Sequence, residues 1–193
     1  MKRVTLDEIV GLERYEQIRP AFRDRIIALK KHRRVAVGDH VTFVFENHDT
    51  MLFQIQEMLR AEHIVDLDRI RDEVDVYNGL VPNGSELSAT MLIEITETSR
   101  IRELLVSLIG IDRSVRLEVG EEIVAAEFEG GRSKDDKLSA VQYVRFPLGQ
   151  RAGQRLISGE APVRLVIDHP NYRASATIEG SVRASLVGDL EAA

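Results

Sequence analysis

Four carboxylates and one histidine set the chemical possibilities of this chain. Glu46, Glu57, Glu62 and Glu94 offer oxygen donors of the kind that hold manganese, iron or magnesium, and His169 adds a ring nitrogen. Glu62 falls on the apolar face of a helical stripe, and Glu94 lies mid-strand in an alternating segment. An ion so placed is costly unless it is paired. Glu57 or Glu62 brought close to Glu94 would repel it unless a proton, a divalent cation or a basic group such as Arg60 lay between them. The candidate polar site is therefore Gln54, Glu57, Arg60, Glu62, Tyr77, Asn78, Glu86, Glu94 and His169. Candidate metal ligands are Glu46, Glu57, Glu62, Glu94 and His169, and Glu46-x-His48 could add a second donor from a strand end. Convergence of the five on one cleft would make a metal-dependent enzyme or sensor. A separate arginine for each would make them structural supports for a partner-binding surface.

Other chemistries are poorly served. The 193 residues contain no cysteine, which removes thiol nucleophiles, disulfides and cysteine-ligated clusters. There is no His-Glu-x-x-His helix, and Ser88, Ser99 and Ser107 lack the glycine pattern of a nucleophile elbow. The net charge of -6 argues against a general nucleic-acid binder. The basic run from Lys30 to Arg34 reads as a solvated helix end, where cations complement the helix dipole. No stretch has the length of a signal-peptide core or a membrane span, so a soluble cytoplasmic protein is expected. A homo-oligomer is left open.

The elements that must position these residues follow from periodicity. Leu6, Ile9, Val10 and Ile18 predict a first helix broken at Arg19-Pro20, and Pro20 then opens a second helix carrying Phe22, Ile26 and Leu29. Val35 and Val37 face Val41, Phe43 and Phe45 across the turn residues Gly38-Asp39. Asp49-Thr50 is the expected cap of a helix whose stripe is Met51, Leu52, Ile55, Met58 and Leu59, with Glu62 inside it at about 100° per residue. Asp66 caps a helix with the stripe Leu67, Ile70, Val74 and Tyr77, and Asn78-Gly79 is expected to end it left-handed. Residues 88–96 alternate as a strand, and a helix follows from Ser99, closed by Gly110. Beyond it the chain reads as strands at 114–119, 122–129, 138–147, 162–168 and 172–179, with short helices at 149–157 and 182–190. Residues 130–137 read as a mobile loop without P-loop spacing. A faint echo aligns Val115-Arg116-Leu117 with Val163-Arg164-Leu165, as two hairpins of similar design would. The expectation is a single α+β domain over 1–193, helix-rich over 1–110 and strand-rich over 111–193. Its helices pack on a mainly antiparallel sheet drawn largely from the second half.

One string goes further. Phe45-Glu46, Gln54-Ile55-Gln56-Glu57-Met58, Arg60, Glu62, Tyr77-Asn78, Pro82, Glu86-Leu87-Ser88-Ala89-Thr90 and Glu94, with Val141-Gln142-Tyr143, Asp168-His169-Pro170 and Tyr172 farther on, resemble a bacterial family catalogued as a domain of unknown function. The likeness runs over nearly the whole chain. It implies a genomic setting beside rubrerythrin and an iron–sulfur oxidoreductase similar to a subunit of anaerobic glycerol-3-phosphate dehydrogenase. By that resemblance the protein serves redox or oxidative-stress metabolism, with either of those proteins as partner.

Overall fold

The structure, a computed structural model, describes residues 1–130, 133–134 and 137–191. An extended segment, residues 1–10, carries one 3-10 turn at Leu6–Glu8 and leads into α1 (Leu12–Lys31). The expected break at Arg19-Pro20 does not occur, because Pro20 lies inside α1. Pro20 is exposed, and it forfeits the bond that an N–H at its position would make one turn back. Tyr15 and Ile26, buried on either side of it, keep the helix continuous.

β1 (Arg34–Val37) and β2 (Val41–Glu46) form the expected hairpin, in register Val37↔Val41. Gly38 turns it at φ 71°, and a Cβ there would lie 2.5 Å from the Tyr172 hydroxyl. That hydroxyl donates to the Val37 carbonyl at 2.6 Å and accepts from the His40 N–H at 3.0 Å, pinning the hairpin. Next come α2 (His48–Ala61), α3 (Leu67–Asn78), β3 (Glu86–Ile93) and α4 (Ile101–Ser107). Asn47, not Asp49, caps α2 through a box with Thr50. Gly79 is right-handed at φ -58°, not left-handed, because a further turn follows through the bond from Leu80 N–H to the Tyr77 carbonyl. Gly110 is left-handed at φ 90°, three residues past the end of α4.

The remaining elements are β4 (Val115–Val119), β5 (Glu122–Ala125), β6 (Glu127–Phe128), β7 (Ser133–Lys134), β8 (Lys137–Leu138), β9 (Val141–Pro147), α5 (Gly149–Ser158), β10 (Val163–His169), β11 (Tyr172–Thr177) and α6 (Gly180–Glu191). The loop expected at 130–137 contains the paired β7 and β8, while residues 131–132 and 135–136 lie outside the described residues.

The fold is α+β, with antiparallel sheets. A five-stranded sheet runs β1-β2-β3-β9-β6, and a four-stranded sheet runs β11-β10-β4-β5. The strands do come largely from the second half, but the single sheet is corrected to two larger ones, of which the five-stranded one takes β1, β2 and β3 from the first half. Phe43, Phe45, Leu87, Met91 and Phe146 of one sheet share a core with Leu117, Val163 and Leu165 of the other. α5 and α6 add Leu156 and Leu186 to it. A second core gathers Val4, Met51, Ile55, Leu59, Ile64, Val74 and Tyr77 among α2, α3 and the opening segment. The internal echo is two hairpins joined through their first strands, with Leu117 paired to Leu165. No helix among the described residues is long and apolar enough to cross a membrane.

Candidate functional site

Strand parity divides the larger sheet. Phe43 and Phe45 face the inter-sheet core, so Thr42, Val44 and Glu46 face the opposite way. Glu46 stands opposite Ser88 of β3, and Ser88 stands opposite Arg145 of β9. Glu46 is 3% exposed, and its Oε1 accepts from the Thr90 hydroxyl at 2.6 Å. Its Oε2 and the Ser88 hydroxyl are buried without a hydrogen-bond partner among the described residues. Arg145 donates to the Gly79 carbonyl at the end of α3.

Arg33, just before β1, anchors this region from the far edge. It is 1% exposed, so the basic run is only partly a solvated face. Its guanidinium donates to the carbonyls of Phe45 at 2.7 Å and Glu46 at 3.1 Å, and to the Ser185 hydroxyl at 2.8 Å, and it pairs with Asp189 of α6. Burial pushes the Asp189 carboxyl up, and Arg33 pulls it back. Arg33 shares strand parity with Val35 and Val37, which is the signal in the sequence that it points inward.

The buried amides of α2 and α3 have a different task. The Asn78 side chain accepts from the Val4 N–H at 2.8 Å and donates to the Val4 carbonyl at 2.9 Å. The Gln56 side chain accepts from the Val10 N–H at 2.7 Å and donates to the Val10 carbonyl at 3.2 Å. Each amide thus closes a ring on one residue of the opening segment, and residues 1–10 become a strap across the two helices. Glu8 steadies the strap: its Oε2 accepts from the Thr5 N–H and hydroxyl, both at 2.9 Å, and its Oε1 lies 3.2 Å from His48 Nε2. Burial opposes the charge on Glu8, but the Thr5 bonds and His48 outweigh it and hold the carboxyl at about 2. Gln56 lies within the apolar stripe, between Leu52 and Leu59, so its burial was legible from helical spacing.

The residues singled out in the sequence do not meet. Glu57 accepts two bonds from Arg19 of α1, at 2.7 and 2.8 Å, and one from the Tyr15 hydroxyl at 2.7 Å. Arg19 chiefly holds the Glu57 carboxyl below its ordinary range, while burial together with Glu57 pushes the Tyr15 hydroxyl up. Arg60 bonds Glu16 of α1 at 2.6 Å rather than Glu57. Glu62 is exposed, 3.8 Å from Arg69, which overturns its expected burial. The stripe was extended past Ala61, where α2 stops and the backbone turns to φ 51° at His63. Glu94 follows β3 instead of lying mid-strand, and it accepts from Arg34 and the Thr42 hydroxyl, both at 2.6 Å. Gln54 is half-buried on α2, Glu86 is half-buried at the start of β3, and Tyr77 packs in the helical core. His169 is buried at the end of β10, its Nε2 3.1 Å from the Ile109 carbonyl and its Nδ1 accepting from the Asn171 N–H at 3.3 Å. Glu46 and His48 turn to different partners, Thr90 and Glu8. Among the described residues, no three His, Asp or Glu side chains are grouped so as to hold a metal ion.

A crystal structure of a protein of unknown function from Burkholderia pseudomallei K96243 is similar to this chain, with 40% identity and a TM-score of 0.91, over 98% of this chain and 100% of that one. No curated protein matches it. The family model described as "Protein of unknown function (DUF3501)" matches residues 3–190, and the chain belongs to that family.

Proposed function

We propose that this protein is a non-catalytic accessory protein that binds a partner in bacterial redox or oxidative-stress metabolism. One observation carries the reading. Three of the four candidate carboxylates pair with separate arginines, Glu57 with Arg19, Glu62 with Arg69 and Glu94 with Arg34, while Glu46 is buried against the Thr90 hydroxyl. A carboxylate held by two bonds from its own arginine, as Glu57 is by Arg19, is a poor ligand or base, since that cation must be displaced first. The surface of the helical layer suits a binding role. Val65, Leu67 and Val76 are 76%, 54% and 64% exposed there. Val65 and Leu67 adjoin at the start of α3, and contiguous exposed apolar surface is what marks protein contacts.

The partners to try are rubrerythrin and the iron–sulfur oxidoreductase implied by the family's setting. Each would be purified and passed over the immobilised chain. Saturable binding of one of them, in the micromolar range or tighter, supports the reading. Absence of binding by both, together with substrate turnover by the chain alone, would replace it with the metal-dependent enzyme or sensor.

A further inference from the structure

We infer that the groove between α2 and α3 is a peptide-binding site, occupied in cis by the strap, and that its ligand is an extended polypeptide segment. The inference rests on the partner-binding reading and names its docking site. Gln56 and Asn78 are 1% and 7% exposed. Both amides spend a donor and an acceptor on backbone groups, those of Val10 and Val4. Such bonds ignore the identity of the side chain they hold. They are the means by which grooves recognise extended peptides, while a pocket reads one side chain.

The pocket is the one Val4 fills. Val4 is 2% exposed and sits among the helical core residues. It is the only fully buried hydrophobic side chain of the strap, for Leu6 is exposed and Met1, Ile9 and Val10 are half-buried. Two hollows flank the strap. A hollow of about 180 Å³ lies on one side, bounded by Ile9, Val10, Leu59, Ile64 and Ile70. Another of about 400 Å³ lies on the other, between α1 and α2, bounded by Val10, Ile18, Phe22 and Leu52 with Arg25 at its rim. A segment with bulkier apolar side chains would cover more of this surface than the strap does.

The amides also select the class of ligand. An apolar molecule laid in the strap's place would strand two buried carboxamides, each costing about 1–3 kcal/mol if left unpaired. A purely apolar molecule cannot answer them. A second stretch of backbone, with an aliphatic residue in the place of Val4, can.

The test uses the full chain and a fluorescent decapeptide with the sequence of residues 1–10, followed by anisotropy. The strap competes with the peptide, so the apparent affinity falls with the fraction of open groove. Val4→Asp in the chain weakens the strap and leaves the groove intact. It is expected to tighten peptide binding at least ~10-fold over wild type. Adding Asn78→Ala to that variant should reverse the gain, and a peptide carrying Asp in the place of Val4 should bind neither protein. Should Val4→Asp lose its cooperative melt, Val4→Ala is measured instead, with the same sign expected. A folded strap variant that binds the peptide no better than wild type overturns the groove. A protein partner retained equally by wild type and Val4→Asp, and not displaced by the peptide, also overturns it while leaving the accessory role standing. Peptide binding as expected with both redox proteins failing to bind would sustain the groove and remove the redox partnership.

Discussion

Arg33 and Asp189 form a buried ion pair whose value lies in how completely the guanidinium is used. It satisfies two backbone carbonyls, a serine hydroxyl and the carboxylate at once, tying the strand edge to α6. Removing one partner leaves a buried charge without compensation. Arg33→Ala should therefore cost about 3–5 kcal/mol in denaturant unfolding, and Arg33→Met with Asp189→Leu should cost distinctly less. Glu8 gives a prediction in pH. Its carboxyl lies at about 2 in the fold against an ordinary 4.5, so its contribution is complete above 4.5 and is lost as pH falls toward 2. The amide signals of Val4 and Val10 should hold their folded positions down to that window and shift within it. A shift centred near neutral pH would assign the strap's stability to another group. Glu57 has the same sign, since Arg19 depresses its carboxyl and acid would release the link between α1 and α2.

Helices and strands were legible where one periodicity ruled a segment, and illegible where the backbone left it. The stripe of α2 was read correctly through Met51, Ile55 and Leu59, but continuing it to Glu62 assumed another turn that the chain does not make. Pro20 misled in the opposite direction, because a proline on an exposed face is tolerated when buried residues flank it. Pro20→Ala restores the missing N–H and should raise stability by up to about 3 kcal/mol, the difference in helix propensity. A loss of stability would mean that the proline has a packing role. The strap could not be read at all. Its polar anchors, Gln56 and Asn78, lie 46 and 74 residues from the groups they hold. Asn78→Ala should cost about 1–3 kcal/mol by leaving the Val4 backbone unpaired. Hydrogen exchange should register that loss at the strap before it appears in the inter-sheet core.

At the scale of the whole molecule, two sheets share one core, and this hid a crossing from one to the other. Val124 in β5, Ala126 between the strands and Phe128 in β6 all contribute to that core, so alternation runs unbroken while the chain leaves the smaller sheet for the larger. The sequence displayed the alternation and predicted one strand over 122–129. The separate fates of the candidate ligands were equally hidden, because Glu57, Glu62 and Glu94 each meet an arginine from another element, and Glu46 meets the Thr90 hydroxyl. Arg19 and Glu57 are 38 residues apart, and Arg34 and Glu94 are 60 apart. On the proposed function, these polar residues brace the fold and leave the surface for a partner. The direct measurement is elemental analysis of freshly purified protein, with thermal melting in chelator and with added manganese or iron, on wild type and on Glu94→Gln. The expected result is less than a tenth of an equivalent of metal, roughly, and melting temperatures that neither chelator nor metal moves in either protein, beyond the small loss from the Arg34 pair. About one equivalent of metal per chain, with a wild-type melt that falls in chelator and a variant that no longer responds, would contradict it.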